Sequence, residues 1–179
     1  ILVDLEYFAI LFDAGLIDVY RNTIHTGLFK LTRQVNLPKE DFRNFGKSIR
    51  TTLYPRRAAW TPDGENILFP LGVRGSSSAA VMYSRTCLLE PNPNEPFLSK
   101  QVYLGHPARV VLTTIMPAEI SVDSKSGFLA VLVSVDGVLS VWSSISPEFP
   151  LAVVSNLLGP FGVCTDCVWT GNSLLLSSS

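Results

Sequence analysis

Short apolar runs separated by the same punctuation recur along this chain, and that recurrence constrains the fold more than any other feature. YFAILFDAGLIDVY (Tyr7–Tyr20) reads as a run, an Asp-containing turn and a second run closed by an aromatic. FLAVLVSVDGVLSVW (Phe128–Trp142) has the same form, and Gly15 and Gly137 stand at matching distances before Tyr20 and Trp142. NILFPLG followed by AAVMYS gives a third copy closed by Tyr83, with GVRGSSS expected as a flexible loop where the tight turn belongs. Runs this short, rich in Val, Ile, Leu and aromatics and bounded by Gly, Pro, Asp and Ser, favour antiparallel strands over helices.

Each unit carries two more strands. RRAAW, before the Thr-Pro-Asp-Gly turn at Thr61–Gly64, has counterparts in VVLTTIMP (Val110–Pro117) and CTDCVWTGN (Cys164–Asn172). GLFKLTRQV, LSKQVYLGH and FPLAVVSNL supply candidate fourth strands. The closing aromatics recur about every 60 residues, longer than the ~40–45 residues of a four-stranded propeller blade, which leaves room for extended loops. Leu37–Pro55 and the proline-rich EPNPNEPF (Glu90–Phe97) fit that role. The expected fold is all-β: a WD-repeat β-propeller of which the chain covers about three blades, the first and last incomplete. Residues 1–179 are expected to form part of a single domain, with units near 1–36, 55–104, 108–158 and 163–179. A run of three blades does not close a ring, and the chain lacks a starting Met, so it is expected to be a piece of a longer one.

Composition narrows the functions. Hydrophobic residues make up 47% and charged residues 16% of the 179, which disfavours long disordered tracts. A net charge of −1 argues against nucleic-acid binding driven by bulk positive charge, and no direct sequence-specific binding is expected. The apolar runs fall short of the roughly 20 residues a bilayer span needs, so no membrane partner is expected. Three cysteines fit a reducing compartment better than a disulfide framework.

Four features carry candidate chemistry. His106, Ser134, Asp136 and Trp142 combine a Gly-His before one strand, a turn Asp, a strand hydroxyl and a closing Trp. These are the residue types of a catalytic triad, yet their spacing is that of the repeat, and the structural reading, a polar set pinning turn to loop, is preferred. Cys164 and Cys167 form a CxxC with no second ligand pair, so no metal and no cofactor are expected. Three residues apart on a strand, the two thiols should point to opposite faces as packed core groups. The basic loop from Lys39 to Arg57 offers Phe42, Arg43, Phe45, Arg56 and Arg57 as a possible partner contact, although a solvated loop is the plainer reading. His25 is isolated and reads as a surface residue.

The order of motifs resembles the WD-repeat proteins of histone chaperones. Arg56-Arg57, Thr61–Gly64, Phe69–Gly72 and the aromatic-Ser-Arg end Tyr83–Arg85 look most like the middle, WD-repeat subunit of chromatin assembly factor one. The GH…SVW and VWT segments look about as much like its sibling, the HIR-type histone regulator. The resemblance covers roughly Phe8 to Ser179 and departs from the family between Pro117 and Phe128, where this chain is shorter. It implies a non-catalytic scaffold in a nuclear complex that deposits H3–H4 onto DNA. Other chaperone subunits would be its partners, with histones held directly or through the complex. A replication-independent HIR-type regulator, or a generic WD-repeat adaptor, is the alternative.

Overall fold

Alternating side chains on a strand can bury both faces only if another layer covers each, and the computed structural model of the protein shows that arrangement. It describes residues 7–11, 16–23, 28–36, 57–74, 77–89, 100–157 and 164–178. The first three strands, β1 (Tyr7–Leu11), β2 (Leu16–Thr23) and β3 (Leu28–Asn36), pair in that order. A four-stranded sheet follows from β4 (Ala59–Trp60), β5 (Asn66–Arg74), β6 (Ser77–Ser84) and β7 (Gln101–His106), with a short helix α1 (Arg85–Leu89) between the last two.

The next sheet is built from β8 (Val110–Ile115), β11 (Leu129–Ser134), β12 (Leu139–Ser143) and β13 (Ala152–Val154). A small hairpin, β9 (Ile120–Val122) with β10 (Lys125–Gly127), is inserted after β8. β14 (Cys164–Thr170) and β15 (Ser173–Ser178) pair last. All pairings between these strands are antiparallel. The described residues are all-β apart from α1.

The sheets stack face to face in chain order. Ile17, Val19 and Val35 of the first sheet meet Ile67, Phe69, Val81 and Tyr83 of the second. The opposite face of the second, with Leu68, Ala80, Met82 and Tyr103, meets Ile115, Phe128, Ala130, Leu132 and Trp142. Val111, Leu112, Val131, Val133 and Leu139 then turn to Cys164 and Cys167. Odd and even positions of β5, β6 and β11 thus serve different cores. Strands covered on both faces read as continuous apolar runs such as FLAVLV for this reason.

Two local features correct the sequence reading. GVRGSSS is mostly strand: β5 and β6 stay in register out to Arg74 opposite Ser77, leaving Gly75 and Ser76 between them, outside the described residues. The irregularity lies earlier, between Phe69 and Gly72, where Pro70 falls in a break in the ladder and so breaks no pairing. Gly72 is required there, because a Cβ would lie 2.3 Å from Val81 Cγ2 and 3.2 Å from the Ala79 carbonyl oxygen. α1 was not signalled by a helical period, since its five residues are too few to show one.

Candidate functional site

The turn Ser134-Val135-Asp136-Gly137 joins β11 to β12 with Gly137 at φ 75°, a left-handed conformation that suits glycine. Gly137 N–H donates to the Ser134 carbonyl at 3.0 Å, and Ser134 N–H donates to the Val138 carbonyl at 3.0 Å. Thr61-Pro62-Asp63-Gly64, between β4 and β5, repeats this pattern: Thr61 Oγ1 donates to Asp63 Oδ1 and Gly64 lies at φ 71°. Both turns tie an Asp carboxylate to a hydroxyl two residues earlier.

His106, at the end of β7, reaches from the second sheet to the third. Its Nδ1 lies 3.0 Å from Ser134 Oγ and its Nε2 lies 2.6 Å from Ser140 Oγ. Trp142 Nε1 donates to Ser140 Oγ at 2.7 Å, and Ser134 Oγ donates to Asp136 Oδ1. Proton positions follow from these partners. Indole N–H can only donate, so Ser140 Oγ accepts there and sends its own proton to His106 Nε2. Nδ1 then carries the imidazole proton and donates to Ser134, whose hydroxyl passes the direction on to Asp136. The result is a one-way chain, Trp142 to Ser140 to His106 to Ser134 to Asp136, that needs a neutral histidine.

All of these groups except Asp136 are buried. Burial pushes the imidazole below its ordinary value, while the charge of Asp136 pulls it partly back. Both ring nitrogens are committed to hydroxyls, and Trp142 seals one side, packed edge-on against Tyr103 with centroids 5.4 Å apart. The structure brings together all four residues that the sequence singled out, and adds Ser140. The signal for Ser140 was available: two residues before Trp142 on the same strand, it must share the tryptophan's face.

Cys164 and Cys167 lie on the same buried side, contrary to the expectation of opposite faces. A register shift between Cys164 and Asp166 inserts one extra residue against β15, which turns an odd spacing into an even one. Both thiols are free and pack beneath the third sheet. Burial is the main cause that raises both, Cys167 to about 12, so neither is a thiolate at neutral pH. Among the described residues, no group of three or more His, Cys, Asp or Glu side chains is placed to hold a metal ion. None of their helices is long and apolar enough to cross a membrane.

Of the proposed partner contacts, Phe42, Arg43, Phe45 and Arg56 lie outside the described residues, as does His25. Arg57 is described and is engaged within the chain. Its carbonyl accepts from Thr113 N–H at 3.1 Å and from Thr113 Oγ1 at 2.6 Å. Its guanidinium meets Asp166 Oδ1 at 2.9 Å, with both side chains partly exposed. The same arginine therefore touches β8 and β14, two strands of successive sheets.

Among known proteins, this chain is 28% identical to part of Protein HIR1 of Gibberella zeae over an alignment of 144 residues. The match takes in 74% of this chain and 13% of that protein, so the chain spans a small part of its relative's length. No family model matches the chain. The likeness falls on the HIR-type sibling, not specifically on the chromatin assembly factor subunit that the motifs place first.

Proposed function

We propose that this chain is part of a WD-repeat β-propeller in a HIR-type histone regulator, acting as a non-catalytic scaffold in a nuclear complex that handles H3–H4 outside replication. The similarity to Protein HIR1 carries this reading, since it extends over 144 residues rather than over one turn motif. The architecture is in keeping with it. Four-stranded antiparallel sheets stack in series, and a histidine from the outer strand of one is bonded to the turn and third strand of the next. A propeller is the closed form of such a stack.

The non-catalytic part rests on the saturation of the polar chain. A general base needs a free nitrogen within reach of substrate, and His106 has both nitrogens bonded in a buried position. The second reading, the middle subunit of chromatin assembly factor one, is favoured by the paired Arg56-Arg57 and the Thr61–Gly64 turn.

Affinity purification of the tagged full-length protein, with its associated proteins identified by mass spectrometry, separates the two. The expected result is H3–H4 together with HIR-type subunits, and nuclear localisation that persists outside S phase. Recovery of a replication-coupled assembly complex instead would move the assignment to the second reading. Recovery of no histones would overturn both in favour of a generic adaptor.

A further inference from the structure

The third sheet is covered on both faces and open at one edge. One face packs against the second sheet and the other against β14 and β15. Further sheets joining the stack would cover its two ends and leave this edge as it is. The edge is β13, which pairs with β12 on one side and, among the described residues, with no strand on the other. Residues 151–156 are all exposed. Phe149 is 79% exposed, Leu151 60% and Val153 58%. Val153 lies opposite Ser140, on the face of Trp142, whereas Ala152 and Val154 lie opposite Val141 and Leu139 on the other face. The strand therefore stands clear of the cores on both sides.

Unpaired N–H and C=O groups along such an edge invite another strand, and charged side chains are the usual deterrent. The outer strand of the first sheet, β3, carries Lys30 and Arg33, and Lys100 immediately precedes β7, the outer strand of the second. Phe149 to Leu157 contains no charged residue. What restrains β13 is its length: three residues are laddered, and Pro150 upstream has no N–H to offer. At the head of this uncharged strip, Glu148 accepts from Ser146 Oγ at 3.3 Å and meets no cation among the described residues. An exposed apolar run in the middle of the stack, with one carboxylate at its end, contributes to none of the three cores.

We infer that β13 is the docking edge for an extended segment of a companion protein, which joins the third sheet as a further strand. The segment would carry apolar side chains at alternate positions and a Lys or Arg to meet Glu148. Main-chain hydrogen bonds along the edge hold it, and Phe149, Leu151 and Val153 give it apolar contact. A second copy of this chain fits less well. Three residues of edge run about 10 Å, too short to bury the ~1,200 Å² of a stable pair. A linear segment of a partner that is also held elsewhere needs no such area. A nucleic-acid backbone would find no cation here. The inference uses pairing order, exposure and charge alone, and is independent of the histone-regulator reading.

The test is fluorescence anisotropy with the full-length protein and a fluorescein-labelled peptide of two lysines followed by alternating valine and threonine. The expected result is saturable binding, with Leu151→Lys and Val153→Lys each reducing affinity about tenfold, the scale of one buried apolar side chain. Both side chains are exposed, so neither change should disturb folding, which far-UV circular dichroism checks. Val122→Lys, a similarly exposed change on the β9–β10 hairpin, should leave binding unchanged. The same peptide with prolines at its central positions, which cannot donate to an edge, should not bind. Absent binding, equal affinity in the Leu151→Lys and Val153→Lys variants, or undiminished capture of the proline peptide would overturn the proposal. Self-association of the full-length protein in sedimentation, lost in Val153→Lys, would overturn it in favour of pairing between copies. Capture by neutral lipid vesicles, abolished by the same variant, would overturn it in favour of a membrane surface.

Discussion

Ser140→Ala changes one buried oxygen and almost no volume, yet it should be among the costliest small substitutions in the chain. Among the described residues, Ser140 Oγ is the only hydrogen-bond partner of Trp142 Nε1 and of His106 Nε2. Alanine leaves a buried donor and a buried acceptor empty, each costing about 1–3 kcal/mol. Together they give about 2–6 kcal/mol, against a total stability of order 5–15 kcal/mol. Trp142→Phe removes far more atoms but orphans less, because Ser140 still donates to His106; about 1–2 kcal/mol is expected from the lost bond. The double variant leaves only the His106 acceptor unpaired. Its cost should fall short of the sum of the single costs by about 1 kcal/mol or more. Urea titrations followed by far-UV circular dichroism give these differences. A Ser140→Ala cost below about 0.5 kcal/mol, the scatter of ordinary surface changes, or strict additivity in the double variant would show that packing alone governs this site.

Other expectations concern the same core. Trp142→Ala removes the largest side chain between the second and third sheets and should cost about 3–5 kcal/mol; a change near zero in the same titration would contradict its burial. Because the folded protein holds His106 below its ordinary pKa, the unfolded chain takes up protons first as pH falls through about 6.5. This contribution to stability is therefore present above that value and lost on acidification, until the buried imidazole itself protonates. The difference between parent and His106→Gln stability curves should show the slope, and parallel curves would refute it. With iodoacetamide at neutral pH, half-buried Cys87 should be modified in the native state before Cys164 and Cys167, as peptide mass mapping would show. Arg57→Ala should cost less than about 1 kcal/mol in a urea titration, since the Asp166 pair is partly exposed and the bonds from Thr113 are to the main chain; a larger loss would make the ion pair structural.

Period and punctuation were enough to place the strands of the repeat, but not the inserted hairpin β9–β10. The PDG and VDG turns, the runs on either side of them and the fourth strands at GLFKLTRQV, LSKQVYLGH and FPLAVVSNL are where the structure has them. What was not legible depended on register. GVRGSSS has loop composition, but β6 continues to pair with β5 beyond Gly72 because a break has already absorbed Pro70. The thiols of the CxxC share a face because of one inserted residue against β15, and Arg33 joins Lys30 through the same device on β3. A bulge costs one residue of spacing and has no composition of its own. Any inference from period two fails silently across it.

The polar chain shows why residue types cannot by themselves identify a function. Asp, Ser and His in hydrogen-bonded series are what a hydrolase requires, and here they are strung between an indole and a turn carboxylate with no ring nitrogen left over. The sign of the histidine shift agrees with that use: burial lowers it, and only a neutral ring completes the chain. A set like this fastens one sheet to the next, and it would serve any protein built from such sheets equally well. It cannot distinguish a HIR-type regulator from its sibling. Discrimination between partners must come from groups that this fastening does not use.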